Sequence, residues 1–160
     1  MSWETFLKEK SALATALDLV GDHWSLMIVS YCMAGICRFN KMERQLGINR
    51  NLLKSRLDRL VNAGVLVKQP IRENSKHYEY LPTEMCMKLR PIMVGLAAWG
   101  EEYLTKDLTP ITYVHRNCEG VLHARIYCEG CQNHAEPEEV ALRLNPGAAA
   151  TFVEIVDESN

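Results

Sequence analysis

The stretch RFNKMERQLGINRNLLKSRLDRLVNAG, residues 38–64, decides the fold. Two helical patterns meet in it at a glycine. Phe39, Met42 and Leu46 recur at helical spacing over Arg38 to Leu46, and Gly47 stops that helix. Asn49 is a good N-cap for the next, which runs to about Ala63 with Leu52, Leu53, Leu57, Leu60 and Val61 on one side. Asn51, Lys54, Ser55, Asp58 and Asn62 fall on the other side, and Gly64 is the C-terminal stop.

Beyond Gly64 the period changes from 3.6 to 2. Val65, Leu66 and Val67 are β-type, Tyr78, Tyr80 and Leu81 follow, and the polar run Pro70 to Lys76 between them predicts a hairpin. Upstream, Leu13, Ala16, Leu17 and Val20 predict a helix over Ser11 to Val20 that stops at Gly21. Asp22 caps a largely apolar helix, Trp24 to Ala34. Downstream, Thr83 caps a fifth helix continuing to about Thr105, which Pro91 kinks or restarts. Helix, glycine, helix, hairpin is the order of a winged helix-turn-helix. The fold class expected is therefore α+β: a mainly helical winged helix-turn-helix domain over residues 1–106, with a β-hairpin wing. A small Cys- and His-containing C-terminal β appendage follows over 107–160, with β-like runs at Gly120 to Tyr127 and Thr151 to Val156.

The chain has 160 residues and a formal charge of −2, which hides an asymmetry. Arg38 to Tyr80 holds ten basic and four acidic residues, a net of +6, and leaves −8 for the rest. A basic block in an acidic protein is a local field that attracts polyanions. The major groove of DNA admits one helix and distinguishes all four base pairs. The N-terminal part of a recognition helix usually reaches the bases. Arg38, Asn49, Arg50, Asn51, Lys54 and Ser55 are thus the candidate contacts of the helical unit. Arg72, Asn74 and Lys76 at the hairpin tip suit phosphates or an adjacent minor groove. Arg56 falls nearer the apolar side and reads as core edge.

Several motifs in series resemble a known family. Gly21-Asp22-His23-Trp24-Ser25-Leu26-Met27-Ile28 resembles the GD-x-W-[ST]-LLIL signature of HxlR-type bacterial and archaeal transcription regulators. Arg38-Phe39-Asn40-Lys41-Met42 resembles their RF-x-E-L, and Ile48 to Leu57 their IS-x-N-x-LS-x-RL. Ala63-Gly64-Val65-Leu66, Tyr78 to Thr83 and Leu96-Ala97-Ala98-Trp99-Gly100 continue the likeness as far as about residue 105. The resemblance implies a dimeric, winged-helix, DNA-binding regulator. The chain departs from the pattern at His23, where Arg or Lys is common, and at Asn49 and Lys54, where Ser is common. Ser11 stands where many members carry Cys, so thiol sensing at that position is not available.

Met85, Leu89, Ile92, Leu96, Trp99 and Tyr103 are spaced 4, 3, 4, 3 and 4, an a/d seam over nearly three heptads. Such a seam serves either the domain's own core or a homodimer, to which Trp3, Phe6 and Leu7 could add. Two copies about one DNA turn apart read a palindromic operator in double-stranded DNA.

His115-x-x-Cys118 is followed after nine residues by Cys128-x-x-Cys131. Two ligand pairs of this spacing suit tetrahedral structural zinc, with His123 and His134 as substitutes. Three rivals stay open: a Cys128/Cys131 redox pair, a disulfide including Cys118, and plain packing of the thiols. Cys32, Cys37 and Cys86 lie in or beside apolar helices and read as core. No apolar run approaches the ~18–20 residues of a membrane span, and Met1 to Lys10 has no apolar signal stretch. The expected location is cytoplasmic. No Gly-rich phosphate loop, G-x-S-x-G elbow or H-E-x-x-H helix is present, so no enzyme is expected. The alternatives are thiol-redox regulation or oxidoreduction at Cys128/Cys131, or a protein-interaction module.

Overall fold

The computed structural model describes residues 2–105 and 109–146. Its elements in order are α1 (Trp3–Lys8), α2 (Ala12–Val20), α3 (His23–Met33), α4 (Phe39–Leu46), α5 (Arg50–Asn62), β1 (Leu66–Pro70), β2 (Tyr78–Pro82), α6 (Glu84–Met87) and α7 (Arg90–Gly100). A π-helical turn (Glu101–Thr105), β3 (Ile126–Cys128), β4 (Asn133–Ala135) and a 3-10 turn (Pro137–Glu139) follow. Contacts divide the chain into two compact units, Met1–Met93 and Val94–Asn160.

The first unit is the winged helix-turn-helix expected. Its helices start where short polar side chains take up free backbone N–H groups. Ser11 caps α2, Asp22 caps α3, Asn49 caps α5 and Thr83 caps α6. Gly47 ends α4 at φ 63°, a left-handed conformation that a side chain disfavours. Gly21 has another reason to be glycine: a Cβ there would run into the Leu17 carbonyl oxygen, which accepts the Gly21 N–H.

The core lies between α3, α5 and the hairpin. Ile28, Val29 and Cys32 of α3 meet Met42 of α4, Leu53, Leu57 and Leu60 of α5, and Val65, Leu66 and Tyr80. Each of the three α5 leucines is fully buried, which contributes roughly 1.5–3 kcal/mol apiece and fixes which face of α5 is left outside. β1 pairs antiparallel with β2, with Leu66 opposite Pro82 and Lys68 opposite Tyr80. The chain before α4 adds a short third rung: Tyr80 N–H donates to the Cys37 carbonyl at 2.8 Å, and Arg38 bridges Glu79.

Of the two alternatives at Pro91, the restart is the one found: the helix from Thr83 breaks after α6, restarts with Pro91 as the second residue of α7, where no N–H is missed, and ends in the π-helical turn. Two expectations need adjustment. A short helix, α1, lies where none was expected, its Trp3 indole donating to Asp18 of α2. Within Gly120 to Tyr127 only Val121 pairs, with Val114, besides the start of β3. Thr151 to Val156 lies outside the described residues. No single helix among the described residues is long and apolar enough to cross a membrane.

Candidate nucleic-acid interface

α5 is held by its leucines and by one polar node. Asp22 Oδ1 accepts the N–H groups of Trp24 and Ser25 at 3.1 Å each and the Arg56 Nε at 3.1 Å. Its Oδ2 accepts the hydroxyl of Ser25, the buried polar residue of the core. Arg56 therefore points back to the α3 cap, as its place on the helix wheel suggested. Burial works against the Asp22 charge. The Ser25 and Arg56 hydrogen bonds and the Arg56 charge outweigh that and hold its carboxyl below the ordinary carboxylate range.

With that face committed, Asn51, Lys54 and Ser55 stand exposed on the other. They line a shallow concavity with Leu19, Asp58, Arg59 and Asn62. Lys54 pairs with Asp58 at 2.7 Å, one turn on. Asn49 and Arg50 have work of their own. Asn49 Oδ1 accepts from the N–H groups of Asn51 and Leu52, so that oxygen is spent on the cap. Arg50 reaches back to Glu43 at 2.9 Å and lies over the Phe39 ring, 4.8 Å from its centroid.

The wing tip exposes Arg72, Asn74 and Lys76. Asn74 takes the left-handed conformation that closes the turn, φ 58°. Ile71 N–H donates to the His77 carbonyl, and Ser75 N–H to that of Arg72. Between α4 and the wing runs a groove lined by Arg38, Lys41, Arg44, Arg50, Lys68 and Lys76, with Phe39, Tyr78 and Tyr80 as its apolar walls. Lys68 Nζ sits 4.7 Å from the Tyr78 ring centroid. Lys41, Arg44 and Lys68 were not among the contacts picked from the sequence. The +6 block contained them, but only tertiary pairing of β1, β2 and α4 brings them beside Arg38 and Lys76.

Residues 19–108 match the family model for the HxlR-like helix-turn-helix. This chain belongs to that family. The uncharacterized HTH-type transcriptional regulator Mb3122 of Mycobacterium bovis is 34% identical over 143 residues, 89% of this chain and 90% of its own length. YdeP of Bacillus subtilis, also an uncharacterized HTH-type transcriptional regulator, is 27% identical over 96 residues, 59% of this chain and 75% of its own. Among solved structures, PA1607 superimposes with a TM-score of 0.78 at 29% identity, covering 88% of this chain and 99% of that one. The redox regulator HypR in its reduced form aligns with a TM-score of 0.54 at 26% identity, over 60% of this chain and 96% of its own. The likenesses are to transcriptional regulators, which is the class of this HxlR-like protein.

Its six cysteines fall into two groups. Burial pushes the thiols of Cys32, Cys37 and Cys86 up, so they stay protonated core groups, as expected. Cys118, Cys128 and Cys131 are exposed. The four expected metal ligands stand as two pairs. His115 Nδ1 lies 3.2 Å from Cys118 Sγ. Hydrogen bonds from Cys131 and from the Gly130 N–H hold the Cys128 thiol below its ordinary range. Among the described residues no three His, Cys, Asp or Glu side chains converge closely enough to hold an ion. His134 lies instead opposite Tyr127 in the β3–β4 ladder, the two rings 5.9 Å apart.

Proposed function

We propose that this HxlR-like regulator acts in the cytoplasm as a homodimer, with α5 of each copy in the major groove of operator DNA and the wing on the flanking backbone. The observation that carries the reading is the groove between α4 and the wing. Six cations converge there beside the exposed polar face of α5, and phosphate contacts of this kind set register while base contacts specify. Reading and dimerisation belong to residues 1–106, and 107–160 form an appendage.

The homodimer is supported by what the chain leaves uncovered. Met85, Ile92, Leu96, Trp99 and Tyr103 of the seam are each more than half exposed. Leu89 packs against the domain's own core, and the other five are what the core leaves over for a partner. A second copy presenting the same seam would cover it.

Selection from fragmented genomic DNA, followed by titration of the enriched site, tests the reading. With about five phosphate contacts per subunit, log affinity should fall against log salt with a slope of about −9 for the dimer. Lys76→Ala should weaken all sequences evenly and reduce the slope by about 2 per dimer. Asn51→Ala should relax the preference at its base, costing roughly 1–3 kcal/mol per half-site. Unchanged affinity, slope and preference in both variants would reject the surface.

A further inference from the structure

The segment from Thr109 to Pro146 has little core of its own among the described residues. None of its residues is buried, and Val114, Val121, Ile126, Tyr127, Val140 and Leu142 are exposed. Its β structure is one bridge, Val114 to Val121, and one three-residue ladder, Ile126–Cys128 against Asn133–Ala135. Two-stranded ribbons this short are marginal alone, and small core-poor scaffolds are usually stapled.

Both ribbons end in the same turn. The first reads His115-Arg116-Asn117-Cys118-Glu119, the second Cys128-Glu129-Gly130-Cys131-Gln132. Each has soft ligand types at its first and fourth positions. Each puts its fifth residue in the left-handed region, Glu119 at φ 57° and Gln132 at φ 56°. That conformation is uncommon for a non-glycine residue, so its recurrence at matching positions marks one shared geometry. In the first turn the N–H groups of Cys118 and Glu119 donate to the His115 carbonyl at 3.2 and 2.7 Å. In the second, the N–H groups of Gly130 and Cys131 approach Cys128 Sγ, the kind of outer contact that orients a metal-bound thiolate.

We propose that the two turns together form one tetrahedral zinc(II) site, with His115, Cys118, Cys128 and Cys131 as ligands. For bonds of about 2.05 Å to nitrogen and 2.3 Å to sulfur, tetrahedral ligands stand about 3.6 Å apart. The His115–Cys118 pair, at 3.2 Å, needs to open by only about 0.4 Å. A glycine stands next to a sulfur in each case: a Cβ at Gly120, just after the first turn, would lie 3.5 Å from Cys118 Sγ, and one at Gly130, within the second, 3.7 Å from Cys128 Sγ. The described side chains do not converge as a set of three, so the ion has to draw the two turns together. His123, Ala124 and Arg125 join the ribbons outside both ladders. No electrons are transferred. Each of the three thiols gives its proton to solvent, neutral His115 donates a ring-nitrogen lone pair, and the closed site carries one net negative charge.

The test uses the full chain, isolated under reducing conditions without chelator. Elemental analysis should find about one zinc per chain. Exchange for Co²⁺ should give tetrahedral d–d absorption and a thiolate-to-cobalt band. That band should fall by about a third in each of Cys118→Ser, Cys128→Ser and Cys131→Ser, because three thiolates contribute to it. Cys37→Ser, outside both turns, should leave it unchanged, and His115→Cys should keep the metal and strengthen the band. Zinc well below one per chain, or no tetrahedral cobalt spectrum at stoichiometric addition, would each overturn the site. The readouts involve no DNA, so their failure is separate from failure of the operator-binding reading.

Discussion

Removing the Asp22 carboxylate should be the most damaging single change at the polar node that aligns α5. Its two oxygens accept four hydrogen bonds: two α3 backbone N–H groups, the buried Ser25 hydroxyl and Arg56. Loss of an N-cap costs about 1 kcal/mol. Leaving the Ser25 hydroxyl buried without that partner costs roughly 1–3 kcal/mol. The Arg56 pair, with both side chains a little over a quarter exposed, adds about 1 kcal/mol at most. These contributions share one carboxylate and do not add fully, so Asp22→Ala should lose about 3 kcal/mol. Asp22→Asn keeps an oxygen for the cap and should lose about 1 kcal/mol. Because the folded carboxyl titrates below its ordinary range, its contribution is present above the unfolded value near pH 4. It is lost as the pH falls through the lower folded value. Urea denaturation followed by far-UV circular dichroism, between about pH 3 and 7, gives both quantities. The wild-type stability should drop in acid by more than that of Asp22→Asn. An Asp22→Ala protein within about 0.5 kcal/mol of wild type, or identical acid profiles for wild type and Asp22→Asn, would refute the reasoning.

The remaining expectations are simpler. Gly47→Ala should cost about 1–2 kcal/mol, since a Cβ there meets nothing within 4 Å and the penalty is that of φ 63° alone; Gly47→Asn should cost less in the same denaturation assay. Leu96→Glu with Ile92→Glu places two charges on the uncovered seam. The pair should shift sedimentation from dimer to monomer while circular dichroism is kept, and should lower operator affinity. An unchanged sedimentation coefficient would move the interface elsewhere.

The local elements were legible because their causes are local. Asp22, Asn49 and Thr83 cap helices within three residues of themselves. Gly47 ends α4 by its own φ, and the period-2 residues either side of a polar run made the hairpin. The family motifs run in series from Gly21 to Gly100, and two of them, Arg38 to Met42 and Ile48 to Leu57, lie inside the stretch 38–64 that carries the reading unit. What stayed hidden depends on partners in other elements. Arg50 turns to Glu43 and Phe39 of α4. That choice cannot be seen on a helix wheel, which shows a face and not its neighbours.

The 160 residues alone determined the order of the reading unit, the polar face of α5 and the two matched pairs of ligand types, because spacing and capping act over one or two turns. Tertiary structure decided that Lys41, Arg44 and Lys68 join Arg38 and Lys76 in one groove, and that Arg56 faces Asp22. It also decided that the α7 seam stays uncovered. Those outcomes follow from which apolar surfaces meet across the core, and burial is a property of the folded chain rather than of any one segment.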